Sequence, residues 1–280
     1  MTIPVKVDDV ICKFENPTLL SDKGGQKIVY TIQHPEFGRC VLKIGHYGSM
    51  TTLERIKREV SILSSLKSDY FPTNFDFQVL DQSRFFIIEE LINGHTLDKV
   101  FRQFSSEQES CKLLNELLSA VSQLWAQKVI HRDLKPENII IANGGPRILD
   151  LGIARVLDET SLTCSLAPFG PCTPNYASPE QLQNRKKSID HRTDQFSLGI
   201  ILGQLLLDGT HPFCPSLLGN GSSIPENINA NIWAKDILKT KLSEPVFYIL
   251  QRMLGHEPYQ RFRKVDEIRD KLNIIILGES

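Results

Sequence analysis

The 280-residue chain sets 32 Lys and Arg against 33 Asp and Glu, a net charge of −1, so bulk charge draws it to neither nucleic acid nor an anionic membrane. With 41% apolar and 23% charged residues it can bury an ordinary core in one large domain or two small lobes. The opening MTIPVKVDDV lacks a basic start followed by an apolar run, so no signal peptide is expected and the cytoplasm is the expected location. Six cysteines without a Cys-x-x-Cys pair fit reduced thiols rather than a disulfide framework or a zinc site.

In chain order, β-branched and apolar runs at 28–33 and 39–44 predict two strands, and His34-Pro35-Glu36-Phe37-Gly38 between them carries the Pro and Gly of a turn. A helix is predicted over 52–67, where Leu53, Ile56, Val60 and Leu63 mark one face. Glu59 borders that face, and a carboxylate there needs a cationic partner. A third strand, 84–89, ends before Asn93-Gly94. From Ser105 the pattern turns helical: Cys111, Leu114, Leu118, Val121 and Trp125 predict a long helix that stops before Val129. A strand-poor, loop-rich stretch is expected from about 131 to 180. The apolar run 196–207 is too short to cross a bilayer of about 30 Å and reads as a buried helix, and further helices are expected near 246–254 and 265–272. The expected class is α+β: a small antiparallel β-rich lobe with one helix over 1–92, then a larger, mainly helical lobe over 93–280, with a ligand site favoured at the joint near 90–95.

One string dominates the chemistry: His131-Arg132-Asp133-Leu134-Lys135-Pro136-Glu137-Asn138. Asp150-Leu151-Gly152 begins seventeen residues after Asp133, and Lys43 ends the apolar run Cys40-Val41-Leu42, sixteen residues before Glu59. Taken singly, an Asp before a Gly serves a turn and a lysine at a strand end is solvated; taken together, they make a set. Over about 18–272 the chain resembles the eukaryotic-type (Hanks-type) serine/threonine protein kinase family, whose catalytic loop matches 131–138 letter for letter, in the Lys-Pro-Glu wording of the serine/threonine class.

The resemblance implies a two-lobed protein-kinase fold and transfer of the γ-phosphoryl group of ATP to a protein hydroxyl, with autophosphorylation as well. It implies Asp133 as the group that orients the hydroxyl and accepts its proton, and Lys135 as a neutraliser of γ-phosphate charge. Asn138 and Asp150 would hold Mg²⁺, or Mn²⁺ in its place. Lys43 would contact the α- and β-phosphates while Glu59 fixes it. In Asp22-Lys23-Gly24-Gly25-Gln26-Lys27-Ile28-Val29-Tyr30 only Gly24 matches the three family glycines; Asp22 and Lys27 stand at the outer two positions. Gly24 and Gly25 would still turn backbone N–H groups toward phosphate, and Lys27 would add positive charge. Val29 and Val41 would cover the adenine. The carbonyl of Glu90 and the amide of Ile92 would bind its edge, which leaves Glu89, an unusual acid, guarding the back of the pocket.

Thr173-Pro174-Asn175-Tyr176-Ala177-Ser178-Pro179-Glu180 resembles the end of the family's activation segment, with Cys172 where glycine is usual. Structural roles are implied for His131, for Arg132, for Asp194 as a brace of the catalytic loop, and for the pair Glu180–Arg261. Thr163 and Ser165 are the expected sites of self-modification, Arg132 being the cation that would meet the phosphate. Cys164 and Cys172 suit unpaired thiols better than a redox pair. Arg185-Lys186-Lys187 reads as a solvated basic face before a recruiter of acidic substrates. The implied partners are a protein substrate, ATP and a regulatory protein. The competing functions are a pseudokinase scaffold, for which the altered glycine loop speaks, and a small-molecule kinase of related fold.

Overall fold

The three apolar runs of the first third of the chain become the middle of a five-stranded antiparallel sheet: β1 (Glu15–Ser21), β2 (Lys27–His34), β3 (Gly38–His46), β4 (Asn74–Val79) and β5 (Arg84–Glu90), in the order β1-β2-β3-β5-β4. The computed structural model describes residues 10–21, 27–66, 68–104, 106–150, 155–156 and 172–278, with the backbone alone at 55, 59, 155 and 156. The β2–β3 turn follows its sequence. Gly38 takes φ +69, a left-handed conformation that glycine enters without penalty, and His34 Nδ1 accepts the backbone N–H groups of Glu36 and Phe37 at 3.1 and 3.3 Å.

Side-chain alternation gives the sheet two faces. On one, Ile32, Cys40, Leu42, Ile44, Phe86 and Ile88 form a buried cluster. On the other, Phe85 and Ile87 pack with Leu53 of helix α1 (Met50–Leu66), and Ile56 and Val60 of that helix lie against them. Lys43 pairs in register with Ile87, and Val41 with Glu89. Positions 41, 43 and 89 therefore belong to the face that α1 covers. β1 and β4, absent from the sequence reading, are the sheet's two edges; β1 is exposed along its whole length, so no periodic apolar signal marks it.

The chain divides into two units, Met1–Asn93 and Gly94–Ser280. The second opens with β6 (Gly94–Thr96) and then α2 (Glu107–Ala126). Ser106 caps α2: it accepts the Glu109 N–H, while the Glu109 carboxylate accepts the Ser106 N–H, both at 3.1 Å. Cys111, Leu114, Leu118 and Val121 are buried along α2 as their spacing predicts. After β7 (Val129–Ile130), the stretch expected to be loop contains a hairpin of β8 (Ile139–Ala142) and β9 (Gly145–Ile148), with β6 paired on β8. These strands are four residues each, too short to announce themselves by alternation. The apolar run begins earlier than expected, as α3 (His191–Leu206), buried from Thr193 onward and capped by Asp190, which accepts the Arg192 N–H at 2.8 Å. Helices α4 (Glu244–Met253) and α5 (Val265–Leu277) follow. Among the described residues no helix is long and apolar enough to cross a membrane.

Candidate active site

The loop between β7 and β8 is held from below by one buried carboxylate. Asp194, in the first turn of α3, accepts the backbone N–H of His131 through Oδ2 at 3.0 Å and that of Arg132 through Oδ1 at 2.9 Å. Its Oδ2 also accepts the Trp125 indole N–H at 2.9 Å. His131 is fully buried and closes the loop on itself: Nδ1 accepts the Asp133 N–H at 3.3 Å, which leaves Nε2 to donate to the Leu149 carbonyl at 3.3 Å. Arg132 stands at φ +70, and Gln181 Nε2 donates to its carbonyl at 2.8 Å. A non-glycine residue persists in that conformation only where its surroundings hold it there, and here Asp194 and Gln181 grip the peptide on both sides.

On this frame the charged groups gather. Asp133 Oδ1 accepts the backbone N–H of Thr173 at 2.9 Å, and Oδ2 lies 3.1 Å from the Lys135 ammonium. Lys135 Nζ also donates to the Thr173 hydroxyl at 2.7 Å, and Asn138 Nδ2 donates to the Asp133 carbonyl at 3.0 Å. Thr173 thus touches both groups that the sequence reading singled out, although that reading made it no more than the start of a segment. Its signal was its place, five residues before Ser178-Pro179-Glu180, in the segment whose end resembles the family pattern.

Asn138 and Asp150 are brought to adjoining positions by the β8–β9 hairpin. Ile139 pairs with Ile148, and the Leu149 N–H donates to the Asn138 carbonyl at 2.8 Å. Asp150 is exposed at φ +55, a second non-glycine residue in the left-handed region. With the Asn138 amide nitrogen directed at Asp133, its oxygen is the atom turned the other way. One carboxylate and one amide oxygen make a hard donor set that fits a divalent cation such as Mg²⁺.

The segment after Thr173 is pinned by buried ions. Glu180 and Arg261 are buried and doubly bonded, at 2.7 and 2.9 Å, and Thr193 donates to Glu180 at 2.9 Å. Tyr176 and Asn175 are held by α3 and the loop after it: Ser197 donates to the Tyr176 carbonyl at 2.8 Å, and His211 Nε2 to that of Asn175 at 2.9 Å. His211 Nδ1 accepts the Phe213 N–H, and burial depresses its pKa to about 4. Cys172 is half-buried; burial first and the Asp133 charge second push its thiol up to about 11, against a smaller opposing pull from Arg132. A thiol so raised is a poor thiolate at neutral pH, which weighs against the redox pair; Cys164 lies outside the described residues. Arg185 pairs with Glu257 at 2.8 Å, so its guanidinium is engaged within the chain.

In the first unit Lys43 is buried, and its ammonium lies 2.6 Å from the carboxylate of Glu89. Sequence reasoning paired Lys43 with Glu59, whose side chain lies outside the described residues; the ion pair with Glu89 was not foreseen. Val41 is buried beside Lys43 on the same face, and Val29 of β2 pairs in register with Lys43. Lys27 opens β2 and is half-buried. Glu90 ends β5, its N–H donating to the Thr73 carbonyl at 2.9 Å and its carboxylate accepting the Thr73 N–H at 3.1 Å, and Ile92 is buried just beyond. Asp22, Gly24, Gly25, Thr163 and Ser165 lie outside the described residues.

A family profile described as the protein kinase domain matches residues 26–271. The chain is 32% identical over 213 residues to the serine/threonine-protein kinase pkn3 of Myxococcus xanthus, an alignment covering 72% of this chain and 38% of that protein. It is 34% identical over 158 residues to the probable serine/threonine-protein kinase PknB of Lactococcus lactis, covering 54% of this chain and 25% of that one. With ribosomal protein S6 kinase alpha-1 of mouse it shares 35% over 196 residues, 65% of this chain and 25% of that protein. The chain belongs to the protein kinase family, and its sheet-rich first unit and helical second unit are the two lobes of that fold. It matches between a quarter and two-fifths of the length of these relatives.

Proposed function

We propose that this chain is an ATP-dependent protein serine/threonine kinase that also phosphorylates itself. The observation that carries this reading is the contact of Thr173 with Asp133 and Lys135, the latter two on a loop braced by Asp194. A scaffold without chemistry has no need to hold an acid, an ammonium and a hydroxyl within hydrogen-bond reach of one another.

Phosphoryl transfer asks for placement and charge neutralisation more than covalent help. The Asp133 carboxylate, located by the Thr173 N–H, orients the incoming seryl or threonyl hydroxyl and takes its proton as the new O–P bond forms and the bond from the γ-phosphorus to the β-bridging oxygen breaks. Lys135 neutralises charge on the transferred group. Asn138 and Asp150 would hold Mg²⁺, which supplies neutralisation of phosphate charge when bound; Mn²⁺ offers the same coordination chemistry. Lys43 binds the α- and β-phosphates, with Val29 and Val41 against the adenine and the Glu90 carbonyl and Ile92 amide on its edge. Cytoplasmic action on a protein substrate under a regulatory partner completes the reading.

The test is incubation of wild type and Asp133→Asn with labelled ATP, Mg²⁺ and casein. Loss of the base is expected to cut turnover by about 10²–10⁴-fold, in casein and in self-labelling alike. Equal labelling by both proteins refutes the assignment.

A further inference from the structure

Two charged side chains on the sheet face that α1 covers lie in contact, although one of them stands where the family reading calls for a pocket wall. Lys43 of β3 and Glu89 of β5 are diagonal neighbours, since Lys43 pairs with Ile87 and Glu89 with Val41. Such neighbours on adjacent strands lie within reach of long side chains. Both side chains are only about a tenth exposed, and their charged atoms are 2.6 Å apart.

We propose that Glu89 is a positioning residue for Lys43, holding its ammonium in the sheet for the phosphates of ATP. The inference rests on the reading of Lys43 as the phosphate-binding lysine and goes beyond it. A lysine side chain loses rotamer entropy in any single placement, and a buried ammonium needs a standing counter-charge. Glu89 meets both needs from a neighbouring strand, and β3 and β5 pair without a break from Cys40 to His46. The meeting of Nζ with Glu89 thus follows from sheet register. An ammonium has three N–H donors, so a carboxylate that takes one leaves the bond to phosphate oxygens geometrically compatible. An apolar residue at 89 would wall the pocket equally well and supply none of this, which gives the acid a reason to be there.

The experiment is a double-mutant cycle on the full chain, with Glu89→Gln, Lys43→Met and both together, read as the affinity for a methylanthraniloyl-labelled ATP with Mg²⁺. Glu89→Gln is expected to weaken binding about tenfold when Lys43 is present and less than about twofold in the K43M background. Glu89→Asp, which keeps the charge, should recover part of the loss, and Glu89→Met takes the place of Glu89→Gln in the cycle if thermal denaturation shows that variant unfolded. Equal weakening in both backgrounds, unchanged affinity, or tighter binding by Glu89→Gln would each overturn the proposal. The last would mark Glu89 as a competitor for the ammonium. A wild-type chain that binds no labelled ATP overturns the kinase reading itself and this proposal with it; a wild type that binds while Glu89→Gln binds equally well overturns the positioning alone.

Discussion

In the helical unit the reactive loop is held by side chains that grip backbone: Asp194 takes the N–H groups of His131 and Arg132, Gln181 takes the Arg132 carbonyl, and His211 takes that of Asn175. In the sheet unit the corresponding charged group is held by another side chain, Glu89 on Lys43, and the backbone contributes only the register that sets them side by side. The first arrangement fixes where the chain runs, so its residues must sit at set places in a continuous string. The second fixes where one flexible side chain ends, so it works from any strand that brings an acid to the same face. A family string therefore reveals the first and conceals the second.

Substitutions in either unit put this contrast to measurement. The largest stability effect is expected at Glu180. Its removal in Glu180→Ala leaves the Arg261 guanidinium buried and unpaired, a cost of about 3–5 kcal/mol, seen as a lower urea midpoint for the whole chain; a change under about 1 kcal/mol would show that the ion pair does not anchor the segment.

His211 comes next. Its folded pKa is about 4, against about 6.5 when unfolded. The unfolded chain binds the extra proton between those values, so this group's contribution is complete above pH 6.5 and is lost as pH falls toward 4. The loss amounts to about 3 kcal/mol at most. Urea unfolding at pH 7, 5.5 and 4 should show a steeper decline in wild type than in His211→Gln; parallel curves would remove the histidine from the account.

The smallest effect belongs to Thr173→Val, which keeps the backbone N–H on Asp133 and the branched shape but removes the hydroxyl that Lys135 meets. Turnover should fall about tenfold, the scale of one hydrogen bond to a charged group, with folding unchanged. An unaltered rate would leave the backbone N–H as Thr173's whole contribution.

The long helices were legible for two reasons: burial along one face repeats with the helical period at Cys111, Leu114, Leu118 and Val121 in α2, and α3 is apolar enough to be buried all round. Strands β1, β8 and β9 were not, because an exposed edge and a four-residue hairpin carry no burial pattern of their own. At the site, Asp133, Lys135 and Asn138 could be named from their contiguous string, and the structure brings them together with Thr173. The acid beside Lys43 could not be named in advance, because 43 and 89 meet only through strand pairing.

Short-range spacing and a continuous motif carry the family, the strand-to-helix order of the two units, and the residue types the chemistry would use, so all three can be read from the residues in order. Which groups touch comes from folding alone: Thr173 on Asp133 and Lys135, Asp194 beneath the loop, Glu89 on Lys43. Those contacts join residues 38 or more positions apart. The energy that selects them, the penalty for a buried charge without a partner, exists only once the chain has closed around it.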